Sequence, residues 1–236
     1  MMVRKLAYSV SEREHWVSAG GGLAGILAVL WVSHFWLEGH GGILAIASMG
    51  ASAVLLFAAP HGALSQPWPV FGGHLVSALV GVTCARWLGH EPMLAASLAV
   101  ALSIAAMYSL RCLHPPGGAT ALYAVLGGET VHALGYGYVL SPVLLNVVVL
   151  LAVAVAFNYP FAWRRYPQCW HRRSQPVTEP AEERMIPHRN LVYALSQLDT
   201  FVDVSEDDLQ RIYALALAGQ PQPAAAATAQ PAESLR

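Results

Sequence analysis

The run His114-Pro115-Pro116-Gly117-Gly118, with Thr120 just beyond it, places a titratable ring and four helix-disrupting residues in a strongly apolar part of the chain. Imidazole changes charge near neutral pH. Proline removes a backbone donor and glycine favours non-helical angles, so the run should break a helix. A helix restarting near Gly117 would aim its first free N–H groups and the positive end of its dipole back into the break. Glycine there would let a ligand approach the backbone closely. A second run, Gly72-Gly73-His74 with Ser77, reads as another helix start beside a histidine. If the two starts converge, they form a pocket of amide donors, two imidazoles and the hydroxyls of Thr120 and Ser77. The expected topology sends Glu91 and Glu129 to the opposite side, so the pocket holds no carboxylate and its field suits an anion. Arg111, one turn before His114, is a further candidate ligand, although a snorkelling interfacial role competes with it.

The elements that must position these residues are membrane helices. Of 236 residues, 56% are hydrophobic and 11% charged, against about 25% charged in an ordinary soluble domain. Between Val17 and Trp163 the charged residues are Glu38, Arg86, Glu91, Arg111 and Glu129. A hydrocarbon core needs about 20 apolar residues per helix. Full spans are expected at 17–37, 42–59, 70–88, 92–110 and 139–159, and a short sixth helix or half-helix at 117–126. The fold class is therefore an all-α, polytopic membrane helix bundle.

Arg4, Lys5 and Arg13 precede the first span, and Arg164, Arg165, Arg172 and Arg173 follow the last. By the positive-inside rule both termini are cytoplasmic, which requires an even number of crossings. Arg86 then falls on the outer side, against the trend. The apolar stretch before Ser11 is too short for a signal-peptide core, so the first hydrophobic segment is expected to remain in the mature protein. The expected setting is the inner membrane of a bacterium.

Residues 66–81 and 114–127 each carry proline, a Gly-Gly pair and a small-residue helix, and each follows an apolar helix. They outline a parallel helix–break–helix repeat. The chain divides into a cytoplasmic N-terminus (1–16), the transmembrane domain (17–163), a polar linker (164–186), two short amphipathic helices (187–219) and a disordered tail (220–236). Cys84, Cys112 and Cys169 lack paired spacing, and no HxxxH or HExxH pair is present, so no metal or cofactor is expected. Nothing resembles a basic nucleic-acid surface.

The stretches "LSQPWPVFGGHLVSALVG" and "LHPPGGATAL" closely resemble the HPP family of integral membrane proteins, named for the triplet seen here as His114, Pro115 and Pro116. The similarity runs over about residues 15 to 162. Members from photosynthetic organisms are implicated in nitrite transport, so the resemblance implies a small-anion permease. It implies no agreed set of binding residues. The segment "YALSQLDTFVDVSEDDLQRIYALAL" looks like the connector that leads into CBS regulatory domains in longer members.

The expected function is a carrier or channel for a small inorganic anion, nitrite first. The expected partners are the bilayer and that anion, with a homo-oligomer left open. A non-transporting receptor or scaffold acting through the C-terminal helices is the alternative. A metal-ion transporter lacks carboxylates near its histidines. An intramembrane enzyme using His114 or His74 as a base lacks a Ser, Cys or carboxylate placed beside either ring by the sequence, so no catalytic residue is assigned.

Overall fold

A computed structural model describes residues 12–36 and 41–170. The expected amphipathic helices (187–219) and tail (220–236) lie outside the described residues, as do 1–11 and most of the expected linker. The described part is an all-helical membrane bundle. Its helices are α1 (Glu12–Trp36), α2 (Gly41–Ala58), α3 (Pro67–Leu88), α4 (Pro92–Ser109), α5 (Pro116–Leu126), α6 (Gly128–Leu134) and α7 (Leu145–Asn158). A wide turn of π-helical type, Val139–Leu144, leads into α7 and is kinked at Ser141, before a cis peptide to Pro142.

Four segments among the described residues are long and apolar enough to cross a membrane: Glu12–His34, Pro67–Leu88, Pro92–Ser109 and Val139–Asn158. α2 is also 18 residues long, and its stretch Ala47–Ala58 is apolar. At about 1.5 Å per residue, the 11 residues of α5 cover only about half of a bilayer core of about 30 Å. α5 ends at Leu126, capped by Gly127, and α6 opens at Gly128 with φ +77°. The expected short sixth segment is thus a half-helix followed by a second, shorter one.

Large apolar side chains point outward, among them Leu23, Leu27 and Leu30 of α1 and Met93, Leu94 and Leu102 of α4. In lipid such a surface needs no cover, and association depends on close packing of small residues. Gly21 and Gly25 of α1 receive Phe57, whose ring would lie 2.5 and 2.6 Å from a Cβ at those positions. Ala95, Ala96 and Ala99 of α4 pack with Cys84 of α3 and with Ala121 and Val125 of α5.

Two exposed tryptophan groups mark the ends. Trp16, Trp68, Trp163 and Trp170 lie at one, while Trp31 and Trp87 lie toward the other.

The first end is locked by Arg164, which is fully buried. Its guanidinium donates to Glu14 and Ser18 of α1, to the Phe57 carbonyl of α2 and to Asn158 Oδ1 of α7 (3.0 Å). Burial lowers the guanidinium's proton affinity, and the Glu14 carboxylate opposes that. The Tyr166 hydroxyl donates to the Ser65 carbonyl at 2.8 Å. Packing therefore continues past Trp163, where the sequence placed the start of a polar linker, because these side chains satisfy donors and carbonyls at the helix ends.

Removing one partner of a buried ion pair costs about 3–5 kcal/mol. Arg164→Ala should lower the thermal midpoint of the detergent-purified protein sharply. Arg165→Ala, a change at a neighbour outside this network, should shift it little.

Candidate functional site

Three helices and one loop bring His74 and His114 together. α4 ends in a Schellman arrangement: the Cys112 N–H donates to the Met107 carbonyl (2.9 Å) and the Arg111 N–H to the Tyr108 carbonyl (3.1 Å). Arg111 takes the left-handed conformation this requires, φ +52°. The chain then runs through Leu113 and His114 to the proline pair. His114 turns inward, with no solvent-accessible surface.

α3 begins at Pro67, with prolines in its first turn where their missing N–H costs nothing. This corrects the reading of Gly72-Gly73 as a helix start. They lie in the second turn of a continuous helix, and their task is close packing. A Cβ on Gly72 would stand 2.8 Å from Cys112 Cβ, and one on Gly73 would stand 2.6 Å from His114 Cβ. A Cβ on Gly117 would stand 2.8 Å from the Gly73 carbonyl oxygen and 2.7 Å from Ser77 Oγ. Gly73 and Gly117 therefore meet backbone against backbone, while Gly72 packs on Cys112.

They do not form an amide cradle. Pro115 and Pro116 have no N–H to offer. The Gly117 N–H donates to the His114 carbonyl (2.8 Å) and the Gly118 N–H to the Pro115 carbonyl (2.9 Å). The expectation of free amides at the start of α5 is overturned, because a tight turn consumes them.

What the contact builds instead is a chain of side chains. His114 Nδ1 lies 2.9 Å from the Leu64 carbonyl. His114 Nε2 and His74 Nε2 each lie 2.8 Å from Ser52 Oγ of α2. His74 Nδ1 lies 2.7 Å from Thr120 Oγ1 of α5. The ring centroids are 4.9 Å apart, and all four side chains are fully buried.

The donor order follows from chemistry. A carbonyl only accepts, so His114 carries its hydrogen on Nδ1 and offers a lone pair at Nε2. Ser52 then donates to His114 and accepts from His74 Nε2–H, leaving His74 Nδ1 to accept from Thr120. Two neutral rings thus give a one-directional relay from Thr120 to Leu64.

Each hydroxyl also has a second acceptor one turn back: Ser48 O for Ser52 (3.2 Å) and Pro116 O for Thr120 (3.4 Å). If His114 Nε2 takes up a proton, Ser52 can turn its hydrogen to Ser48 and accept from both rings. A proton can enter without leaving a donor unpaired.

The loop carrying Leu64 is held in place. Gln66 Nε2 donates to Pro60 O (3.1 Å) and Gly62 O (3.0 Å), Ser65 Oγ donates to Leu55 O (3.1 Å), and the Gln168 N–H donates to Gln66 Oε1 (3.1 Å). From below, the Tyr138 hydroxyl donates to the Thr120 carbonyl at 3.1 Å.

Of the residues singled out by sequence, the structure unites His74, His114 and Thr120 in the relay. Gly72, Gly73, Gly117 and the buried Pro116 form the packing that seats them. Ser77 lies beside Gly117 and donates to Met107 Sδ at 3.9 Å. Pro115 and Arg111 are exposed, and a Cβ on Gly118 would meet nothing within 4 Å.

The sequence reading missed Ser52 and the Leu64 carbonyl. Ser52 also corrects the statement that neither histidine has a partnered serine. Its oxygen lies 2.8 Å from each ring and 3.2 Å from the Ser48 carbonyl. Among the described residues no group of three or more His, Cys, Asp or Glu side chains could hold a metal ion.

A family model described as HPP, transmembrane region, matches residues 7–167. A transmembrane protein of Dictyostelium discoideum is 37% identical over 131 residues, 54% of this chain and 42% of its own length. A second transmembrane protein from that organism is 38% identical over 128 residues, 53% of this chain and 45% of its own. The chain thus spans less than half the length of these curated relatives. No solved structure matches.

The glycine contacts separate two neighbouring positions. Gly117→Ala overpacks the α3–α5 contact and should cost about 1–3 kcal/mol, read as a lower melting midpoint in detergent. Gly118→Ala should be neutral or slightly stabilising, by up to about 1 kcal/mol, because alanine suits a helix better.

Proposed function

The chain belongs to the HPP transmembrane family, and on that premise we propose that it carries a small inorganic anion across the membrane, nitrite first, in company with a proton. One observation carries this reading: two imidazoles share the Ser52 hydroxyl at 2.8 Å each inside the bundle, with no carboxylate in the relay. Ionisable side chains within a membrane are costly and commonly mark substrate paths or proton relays. A proton taken up here creates a buried positive charge without a built-in counter-ion, and an isolated buried charge costs several kcal/mol. An anion arriving with the proton removes that cost. Each binds better in the presence of the other, which is the thermodynamic content of coupling.

The reading favours anions of weak acids, such as nitrite and formate, over nitrate and chloride, because only the former readily share the proton. Recognition is assigned to the imidazoles and hydroxyls. The Arg164 end is placed on the cytoplasmic side of a bacterial inner membrane, in accord with the arginines and lysine that flank it in sequence. On this reading the protein is not an enzyme.

The test is flux in proteoliposomes. Nitrite and formate should enter saturably, carry protons with them and move faster as the source side is acidified. Ser52→Ala removes one oxygen from the relay and should slow flux by about a hundredfold, the usual scale for losing a proton-transfer partner. Because it also leaves two buried ring nitrogens unpaired, at about 1–3 kcal/mol each, flux is read per folded protein below the lowered melting midpoint. Wild-type flux in Ser52→Ala would remove the relay from the pathway. Absence of saturable flux for any of the four anions would overturn the transport reading, and hydrolysis of an ester would replace it.

A further inference from the structure

At the opposite end of the α3–α5 contact from the histidines lies a second cluster of chemistry-bearing residues. Arg86 sits in the last turn of α3, about 18 Å along the helix from His74 at 1.5 Å per residue. With Val82 and Ala85 of α3, Ala124 of α5, Val131 and His132 of α6, and Gly135, it lines a cavity of about 150 Å³. A site for one water needs only about 10–15 Å³ of such space, so an ion of a few heavy atoms fits with part of its hydration.

The walls are apolar apart from Arg86 and His132. His132 Nε2 is engaged, donating to the Val125 carbonyl at 2.8 Å. Arg86 has no carboxylate partner among the described residues. Its guanidinium lies over the Tyr136 ring, 5.6 Å from the centroid, and the Tyr136 hydroxyl is 3.2 Å from Thr83 Oγ1. Gly135 has φ +50°, and a Cβ there would stand 3.3 Å from an Arg86 guanidinium nitrogen. A side chain at that position would crowd the guanidinium. The arrangement is a cation at the edge of a small cavity, steadied by a ring and without a carboxylate partner among the described residues.

We infer that this cavity is a binding vestibule for a planar oxyanion, with Arg86 as its ligand. A planar guanidinium pairs two N–H groups with two oxygens of nitrite, formate or a carboxylate. Chloride offers no such match. The vestibule deepens the transport reading and rests on it for its purpose, since it gives the anion a station at the end remote from the relay. Between the two, α3 and α5 touch at Gly81, where a Cβ would lie 2.6 Å from the Ala121 carbonyl oxygen. An ion held at Arg86 is thereby kept apart from the histidines until the helices separate or another route opens. One short loop reaches both sites: Tyr136 underlies Arg86, and Tyr138 holds the Thr120 carbonyl.

The test reads binding without needing transport. In the full chain carrying Ala85→Cys and Cys169→Ser, the cavity thiol is modified by an anionic and by a cationic methanethiosulfonate of similar size. The anionic reagent should react about tenfold faster, the low end of electrostatic enhancement in a charged cleft. Nitrite and formate should slow it saturably, and chloride at equal ionic strength should not. Adding Arg86→Gln should abolish both the preference and the protection. Arg86→Lys should keep the preference and lose the distinction between oxyanion and chloride.

Preference and protection that survive Arg86→Gln would overturn the site, as would equal protection by chloride in the protein that retains Arg86. Protection by nitrite in a protein that shows no flux would leave the vestibule standing and sink the transport reading alone. In an active preparation, Arg86→Gln should raise the half-saturating nitrite concentration from the Arg86 side about tenfold more than from the other. An equal rise from both sides would count against a vestibule.

Discussion

The close approach of α3 and α5 where Gly117 faces the Gly73 carbonyl is the constraint on which the rest of the structure depends. Helices in lipid gain nothing from burying apolar surface against one another, so they associate where backbones can come near. Two side chains of ordinary size at this crossing would push α5 outward and carry His114 and Thr120 with it. With glycine on both sides, His114 Cβ reaches Gly73 and its ring arrives beside His74. The break between α4 and α5 is the other half of the same device. The Schellman turn at Arg111 stops α4 and reverses the chain, and the paired prolines start α5 without spending amides.

That geometry yields a hydrogen-bonded line whose ends are a backbone carbonyl and a threonine hydroxyl. Its polarity is set by the Leu64 carbonyl, which fixes one tautomer and through Ser52 fixes the next. Every polar atom in the line has a partner, so in its neutral form it is an economical way to keep two imidazoles away from water. The alternative acceptors at Ser48 and Pro116 give it a second, protonated arrangement with the same heavy atoms. The line contains no carboxylate, and this is the feature on which the proposed pairing of proton and anion rests.

The two ends of the bundle treat their arginines in opposite ways. Arg164 is buried and saturated, joining the start of α1 to the ends of α2 and α7. Arg86 lies at the edge of a cavity with a ring beneath it and no carboxylate partner among the described residues. One arginine ties helices together, and the other is exposed.

Much of this architecture was legible in the residues themselves. Stretches of membrane length without charge become helices because the hydrocarbon core admits little else, and the observed helices start and stop within a few residues of those expected. The His-Pro-Pro run announced a break, and the break is there. What it does could not be read locally. Whether Gly72-Gly73 opens a helix or packs inside one depends on Pro67 and Pro69 upstream and on which helix lies opposite. The fate of the Gly117 and Gly118 amides depends on how tightly the turn closes. Ser52 differs in no local respect from Ser48 or Ser33, since a lone serine in a small-residue helix is commonplace, and its role comes from two rings delivered by other segments. A carbonyl such as Leu64 leaves no mark in a sequence at all. Apolar length and helix-breaking residues act over a few neighbours, so the sequence by itself determined the spans and the break. Hydrogen-bond partnership joins atoms 22, 50 and 62 residues apart, so only the tertiary structure decided which polar groups face each other and what they do together.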